Sequence, residues 1–147
     1  MILLVIHGPN LNLLGEREPH IYGSSTLDDY VAAVGEAARP YGLTVESVQS
    51  NHEGDLVDAI HAARERCAAI LINPGAFTHY AWSIHDALSA FSGPVLEVHI
   101  SNPNAREAWR HTSVVAPVAT GSIMGLGMHG YELAVAAIAR RLGLSAG

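Results

Sequence analysis

Four short apolar runs, each breaking off into Asn, His, Ser and Gly, constrain the fold of this chain more than any other feature. They read VIHGPNLN from Val5, VQSNHEG from Val48, LINPGAFTH from Leu71 and LEVHISN from Leu96. A run such as Ile2–Ile6, ILLVI, is continuously apolar, as expected of a central parallel strand covered on both faces. In alternating strand and helix proteins, the loops leaving the strands' carboxyl ends gather on one edge, where ligands bind. The four clusters are therefore predicted to converge on one pocket.

The stretches between the runs have helical periodicity. A helix is expected from Ser25 or Thr26, with Asp28 and Asp29 in its first turn, burying Leu27, Tyr30, Val31, Val34, Ala38 and Tyr41 before Pro40 and Gly42 end it. A strand over Leu43–Val48 precedes a helix from about Asp55 to Arg66 that turns Leu56, Ile60 and Ala63 inward. Ala69–Ile72 reads as the third strand. Tyr80–Phe91 reads as a helix presenting Ala81, Ile84, Leu88 and Phe91, and Val95–His99 as the fourth strand after Ser92-Gly93-Pro94. Asn102-Pro103 resembles an N-cap followed by proline at the first helical position, predicting a short helix through Trp109. Ser113–Ala116 reads as a short edge strand and Thr120–Gly127 as a Gly-rich connection. A last helix, about Met128 to Leu142, packs Tyr131, Ala134 and Ile138 inward and stops at Gly143. The sum is one domain over residues 1–147, of class α/β: a flavodoxin-like three-layer sandwich with a five-stranded parallel sheet in the order 2-1-3-4-5.

Composition narrows the chemistry. With 49% hydrophobic and 15% charged residues the chain is globular rather than disordered. No apolar stretch approaches the roughly 20 residues of a membrane helix, and Met1 opens into a strand without a basic leader, so no membrane association and a cytoplasmic location are expected. Cys67 stands alone, which rules out an internal disulfide and suits a small buried hydrophobe. A net charge of −6 without a basic run gives a nucleic-acid groove no support. All eight basic residues are arginine. Lacking lysine, the chain can form no side-chain imine with a carbonyl substrate, anchor no pyridoxal phosphate and build no Walker A loop. Arginine grips carboxylate or phosphate bidentately, and Arg17, Arg106 and Arg110 lie near the polar clusters.

Several residues are candidates for proton chemistry. The segment Gly15–Gly23 has hinge glycines at both ends and is long enough for a lid, though it also reads as a solvated surface loop. A guanidinium near Tyr22 would favour its phenolate form and make it a usable base. The nine histidines include His7, His52, His79 and His99 at strand ends, yet no metal-ligand spacing accompanies them, and no metal or other cofactor is expected. Strand alternation places Glu97 and His99 on one side, where the carboxylate fixes the imidazole tautomer, either for a general acid or for a structural pair. Ile100-Ser101-Asn102 entering a helix N-terminus is a candidate carboxylate site. Asn73 and His79 suit substrate hydroxyls or loop capping. Glu53 and Asp55 suit a helix start. The residues thus define an anion-binding α/β enzyme using Tyr, Arg, His and Glu.

Together, HGPNLNLLG from His7, QSNHEG from Gln49, NPGAFTH from Asn73 and EVHISN from Glu97 resemble the type II 3-dehydroquinate dehydratases, in order and across essentially the whole chain. The resemblance implies reversible dehydration of 3-dehydroquinate to 3-dehydroshikimate, a step of the shikimate route to aromatic compounds or of quinate breakdown. It implies Tyr22 as the base, Arg17 as its activator, Asn10 as holder of the water that stabilises an enolate, and His99, oriented by Glu97, as the acid. Substrate contacts are implied for Asn73, His79, Ile100, Ser101 and Arg110, with Asp86 reaching a neighbouring subunit's site. Trimers packed into a homododecamer are implied as well. The chain departs from the commoner pattern with His7 for Asn, His85 for Arg, Trp109 for Phe and Thr112 for His. None is the implied acid or base, so these positions are expected to bear on subunit packing and inhibitor preference. The segment Gln49–Gly54 is expected to support a helix start or a subunit contact rather than chemistry. Two rivals remain: a non-catalytic flavodoxin-like binding module, and a phosphate-ester enzyme of the same fold, which would need a phosphate-cradling glycine loop after strand one.

Overall fold

In the computed structural model, which describes all 147 residues from Met1 to Gly147, β1 (Ile2–His7) is buried from Leu3 onward. Its side chains alternate between two cores. Leu3 and Val5 join Val34, Ala38, Ala134 and Ile138 on one face; Leu4 and Ile6 join Leu56, Ile60, Ile84 and Leu88 on the other. A strand buried on both sides must be apolar at every position, which explains the ILLVI run. The helices responsible are α2 (Leu27–Ala38) and α5 (Gly127–Arg141) on the first face, and α3 (Glu53–Arg66) and α4 (Trp82–Ser89) on the second. Between them lie β2 (Thr44–Gln49), β3 (Ala69–Asn73), β4 (Val95–His99) and β5 (Gly121–Met124), all parallel, in the order β2-β1-β3-β4-β5. A single turn of helix, α1 (Pro19–Tyr22), interrupts the loop between β1 and α2.

Local sequence sets the boundaries. Thr26 Oγ1 accepts the Asp29 N–H while Asp29 accepts the Thr26 N–H, a reciprocal capping box that starts α2. Asp28 and Asp29 also complement the positive end of the helix dipole. Gly143, with φ +74°, follows α5 as the stop. Register places His7 of β1 between Gln49 of β2 and Asn73 of β3, so three polar strand ends lie side by side. Gly8 is required just beyond: a Cβ there would lie 2.0 Å from the Pro74 carbonyl oxygen.

Three expectations are overturned. Ser113–Ala116 is not a strand; Ser113 Oγ accepts the N–H groups of Val115 and Ala116, folding the segment into a turn that a side chain has diverted from sheet pairing. The edge strand is β5, inside the segment read as a Gly-rich connection. The helix expected from Asn102 to Trp109 is instead two separate 3₁₀ turns, Pro103–Ala105 and Ala108–His111, with extended backbone at Arg106 between them. Asn102 does cap the first, accepting the Asn104 N–H. No helix is long and apolar enough to cross a membrane.

Candidate active site

The loops beyond β1, β3 and β4 enclose a cavity of about 210 Å³ at the carboxyl edge of the sheet. That is below the ~300–1,000 Å³ of drug-sized sites, which suits a molecule built on one small ring. The cavity gathers Asn10, Arg17, Tyr22, Asn73, His79, His99, Ile100, Ser101 and Arg110, and so brings together nearly all the residues singled out from sequence. Glu97 stands behind His99. Asp86 lies elsewhere, exposed on α4, and does not line this chain's cavity.

Glu97 and His99 share a face of β4, and His99 Nε2 lies 2.5 Å from Glu97 Oε2. Glu97 is fully buried, accepting also from Thr78 Oγ1 (2.5 Å) and Ser113 Oγ. Burial by itself would raise its pKa, but the bonds from His99, Thr78 and Ser113 outweigh it and hold the carboxyl below the ordinary 4.5. Glu97 is therefore a carboxylate at neutral pH. It engages Nε2 of His99, leaving Nδ1 as the nitrogen not held by the carboxylate.

The lid folds over the cavity with Gly15 and Gly23 both at positive φ. Pro19 starts its helical turn and Tyr22 ends it, half-buried. Arg106 Nη1 donates to Tyr22 Oη at 2.8 Å and also to Ser101 Oγ at 3.2 Å. The Arg17 guanidinium lies 5.5 Å from the Tyr22 ring centroid and pairs with Glu18 at 3.6 Å. The cation hydrogen-bonded to the phenol is thus Arg106; Arg17 stands beside the ring.

The remaining residues are held by their loops. Asn10 sits in the left-handed region, φ 67°, and its N–H donates to Asn51 Oδ1, which also accepts from Gln49 Nε2. The cluster Gln49–Gly54 thus has two structural tasks. Gln49 and Asn51 brace the turn at Asn10, and Ser50, between the His52 N–H and Asp55, starts α3. Asn73 Oδ1 accepts the Gly75 N–H while its Nδ2 donates to Tyr131 Oη. His79 Nδ1 donates to the Thr112 carbonyl at 2.7 Å, and burial lowers its pKa, so the ring turns a bare Nε2 toward ligands. Arg110 Cζ stacks 4.0 Å from the Trp109 ring centre, and Nε donates to Glu107. Beyond β4, the N–H groups of Ser101 and Asn102 are engaged in no intramolecular hydrogen bond and remain available to an anion, although no α-helix starts there.

Sequence reasoning placed Arg106 near the clusters without a role, and missed Thr78, Ser113 and Tyr131 as partners of site residues. Arg106 reaches Tyr22 across 84 positions and Thr78 reaches Glu97 across 19, separations that no local pattern encodes. Three of the four departures from the family pattern are also nearer the site than expected. His7 bonds the tyrosine that holds Asn73, Trp109 lines the cavity, and Thr112 holds His79.

A doubly wound α/β fold whose strand-end cavity sets a guanidinium-held tyrosine near a carboxylate-held histidine defines an enzyme of acid–base chemistry. The chain belongs to the class II dehydroquinase family, whose model matches residues 1–139. A 3-dehydroquinate dehydratase of Halalkalibacterium halodurans is 54% identical over 136 residues, covering 92% of this chain and 94% of that protein. A protein named catabolic 3-dehydroquinase 1 from Aspergillus terreus is 56% identical over 93% of this chain and 90% of its own length. Among solved structures, the type II dehydroquinase of Propionibacterium acnes superposes with a TM-score of 0.91 at 47% identity, covering 95% of this chain and 96% of that one.

Proposed function

We propose that the cavity takes 3-dehydroquinate and eliminates water to give 3-dehydroshikimate, through an enolate and with anti geometry. Tyr22 removes the proton from the carbon beside the ketone. The bonding pair moves onto the ketone oxygen, where a water held by Asn10 supports the developing charge. The carbon–oxygen bond of the hydroxyl then breaks as His99 delivers a proton to it, and the conjugated enone and water leave. Glu97 supplies the counter-charge behind His99, and Arg106 with Arg17 supplies it at Tyr22. The substrate carboxylate lies on the free N–H groups after β4 near Ser101 and Ile100, Arg110 adds its guanidinium, and Asn73 and His79 take ring hydroxyls.

The observation that carries this reading is the presence, in one cavity, of a cation on the Tyr22 hydroxyl and a carboxylate on the His99 ring. We assign the working assembly to a cytoplasmic dodecamer built from trimers, in which Asp86 of one copy approaches a neighbour's site. Tyr22→Phe and His99→Ala are expected to lower kcat by about 10²–10⁴ with much smaller changes in KM, since both groups act in the transition state. Near-parental turnover by Tyr22→Phe would refute the assignment of the base.

A further inference from the structure

His7 is a buried titratable group that the mechanism leaves without a task. It lies at the end of β1, 1% exposed, with its ring stacked on that of Tyr131 from α5 at a centroid distance of 5.7 Å. Its Nε2 is 3.0 Å from Tyr131 Oη, and Tyr131 Oη is 3.0 Å from Asn73 Nδ2. Its Nδ1 is buried without any partner.

The direction of each bond in this chain is determined by its far end. The Gly75 N–H can only donate, so the Asn73 atom facing it is Oδ1 and the atom facing Tyr131 is Nδ2, also a donor. Tyr131 Oη therefore accepts from Asn73, and its own proton must go to His7 Nε2. His7 is then neutral with its proton on Nδ1. The opposite tautomer would leave both the tyrosine hydroxyl hydrogen and a bare Nδ1 buried without partners, two unsatisfied groups in place of one. Burial of the imidazole, which lowers its pKa to about 4, agrees with the neutral form.

We propose that His7 and Tyr131 are positioning residues: the Tyr131 hydroxyl, turned by His7 to present a lone pair, accepts one Nδ2 hydrogen of the carboxamide that Gly75 orients, and so fixes where the second Nδ2 hydrogen points toward the substrate. With Oδ1 held by Gly75 and one Nδ2 hydrogen by Tyr131, the second Nδ2 hydrogen is the donor that Asn73 has left to offer. It selects an acceptor oxygen, here a ring hydroxyl, whose own hydrogen is left free to bond elsewhere. A ligand presenting only N–H donors at that point would meet donor against donor. The proposal deepens the dehydroquinate reading, since it supposes that Asn73 contacts that substrate.

Steady-state kinetics on the full chain with 3-dehydroquinate test it. Tyr131→Phe and His7→Leu are expected to raise KM by about tenfold, the scale of one misdirected neutral hydrogen bond, with kcat changed by less than about threefold. His7→Gln, which can place an acceptor where Nε2 stands, is expected to restore KM to within about twofold of the parent, a rescue that a purely structural role would not produce. Parental KM in both Tyr131→Phe and His7→Leu, or a His7→Gln defect equal to that of His7→Leu, would overturn the proposal. Nitrogen-15 NMR of the unaltered protein decides the same point without turnover: His7 Nδ1 should read as a protonated nitrogen and Nε2 as a bare one, and the reverse assignment would overturn it. A chain without dehydratase activity but with this tautomer would refute the dehydroquinate reading and leave the chain of bonds standing.

Discussion

At the scale of single residues, the site works by surrounding each reactive group with partners that leave it one direction of action. Glu97 holds Nε2 of His99, Thr112 holds Nδ1 of His79, and Tyr131 and Gly75 hold the two ends of Asn73. The same burial makes His7 an acid-sensitive point. Its folded pKa of about 4 lies below the ordinary 6.5, so between these values the unfolded chain binds a proton that the folded chain does not. Its contribution is complete above about pH 6.5 and is lost as pH falls toward about 4, amounting to about 3 kcal/mol. Glu97, held below its ordinary value, adds a loss that begins only at lower pH, as the carboxyl protonates. Urea midpoints measured at neutral pH and at about pH 5 should therefore fall for the parent and change less for His7→Gln; equal falls would show that His7 is not the sensitive group. Arg106 can be separated from Arg17 in the same spirit. Arg106 donates directly to the phenol, so Arg106→Gln is expected to lower kcat by about tenfold or more. Parental kcat in Arg106→Gln would contradict that role.

At the scale of elements, the close approach of the β1 and β3 loops fixes the floor of the cavity. Gly8→Ala would drive a methyl into the Pro74 carbonyl, and an overpacking cost of about 1–3 kcal/mol is expected, together with reduced turnover because Asn10 and Asn73 move with these loops. Thr26→Ala removes the capping box of α2 and should cost about 1 kcal/mol in chemical denaturation. Elements with continuous burial were the most legible from sequence: β1, β3 and β4 lie within a residue of expectation because both faces are covered, and the inward stripes of α3 and α4 fall where helical spacing puts them. The chain after β4 was least legible. There Ser113 accepts the backbone amides that a strand would have paired, and β5 is a half-exposed edge strand beginning at Gly121, with too little apolar patterning to stand out. Arg106 follows the same rule, for its partner is set by packing of distant loops.

At the scale of the whole molecule, a parallel sheet aligned in register brings the polar ends of β1, β3 and β4 to one edge, and the lid folds back over them. The end of β2 contributes from behind, through the braces on Asn10 and the start of α3. Asp86 has no place in a single copy's cavity, and so its proposed role belongs to the assembly. Light scattering on the purified protein should report a dodecamer, and Asp86→Ala should raise KM without disturbing the lone chain's fold; a monomer with parental KM would set that role aside. The proposed elimination moves one proton from the substrate to Tyr22 and one from His99 to the leaving hydroxyl, with no covalent amine intermediate, in a chain that contains no lysine. The most direct measurement follows the ultraviolet absorbance of the conjugated enone formed from 3-dehydroquinate, before and after the protein is treated with that substrate and borohydride together. Elimination through Tyr22 and His99 gives the enone with undiminished activity after treatment, whereas no enone, or inactivation that depends on both reagents, is incompatible with it.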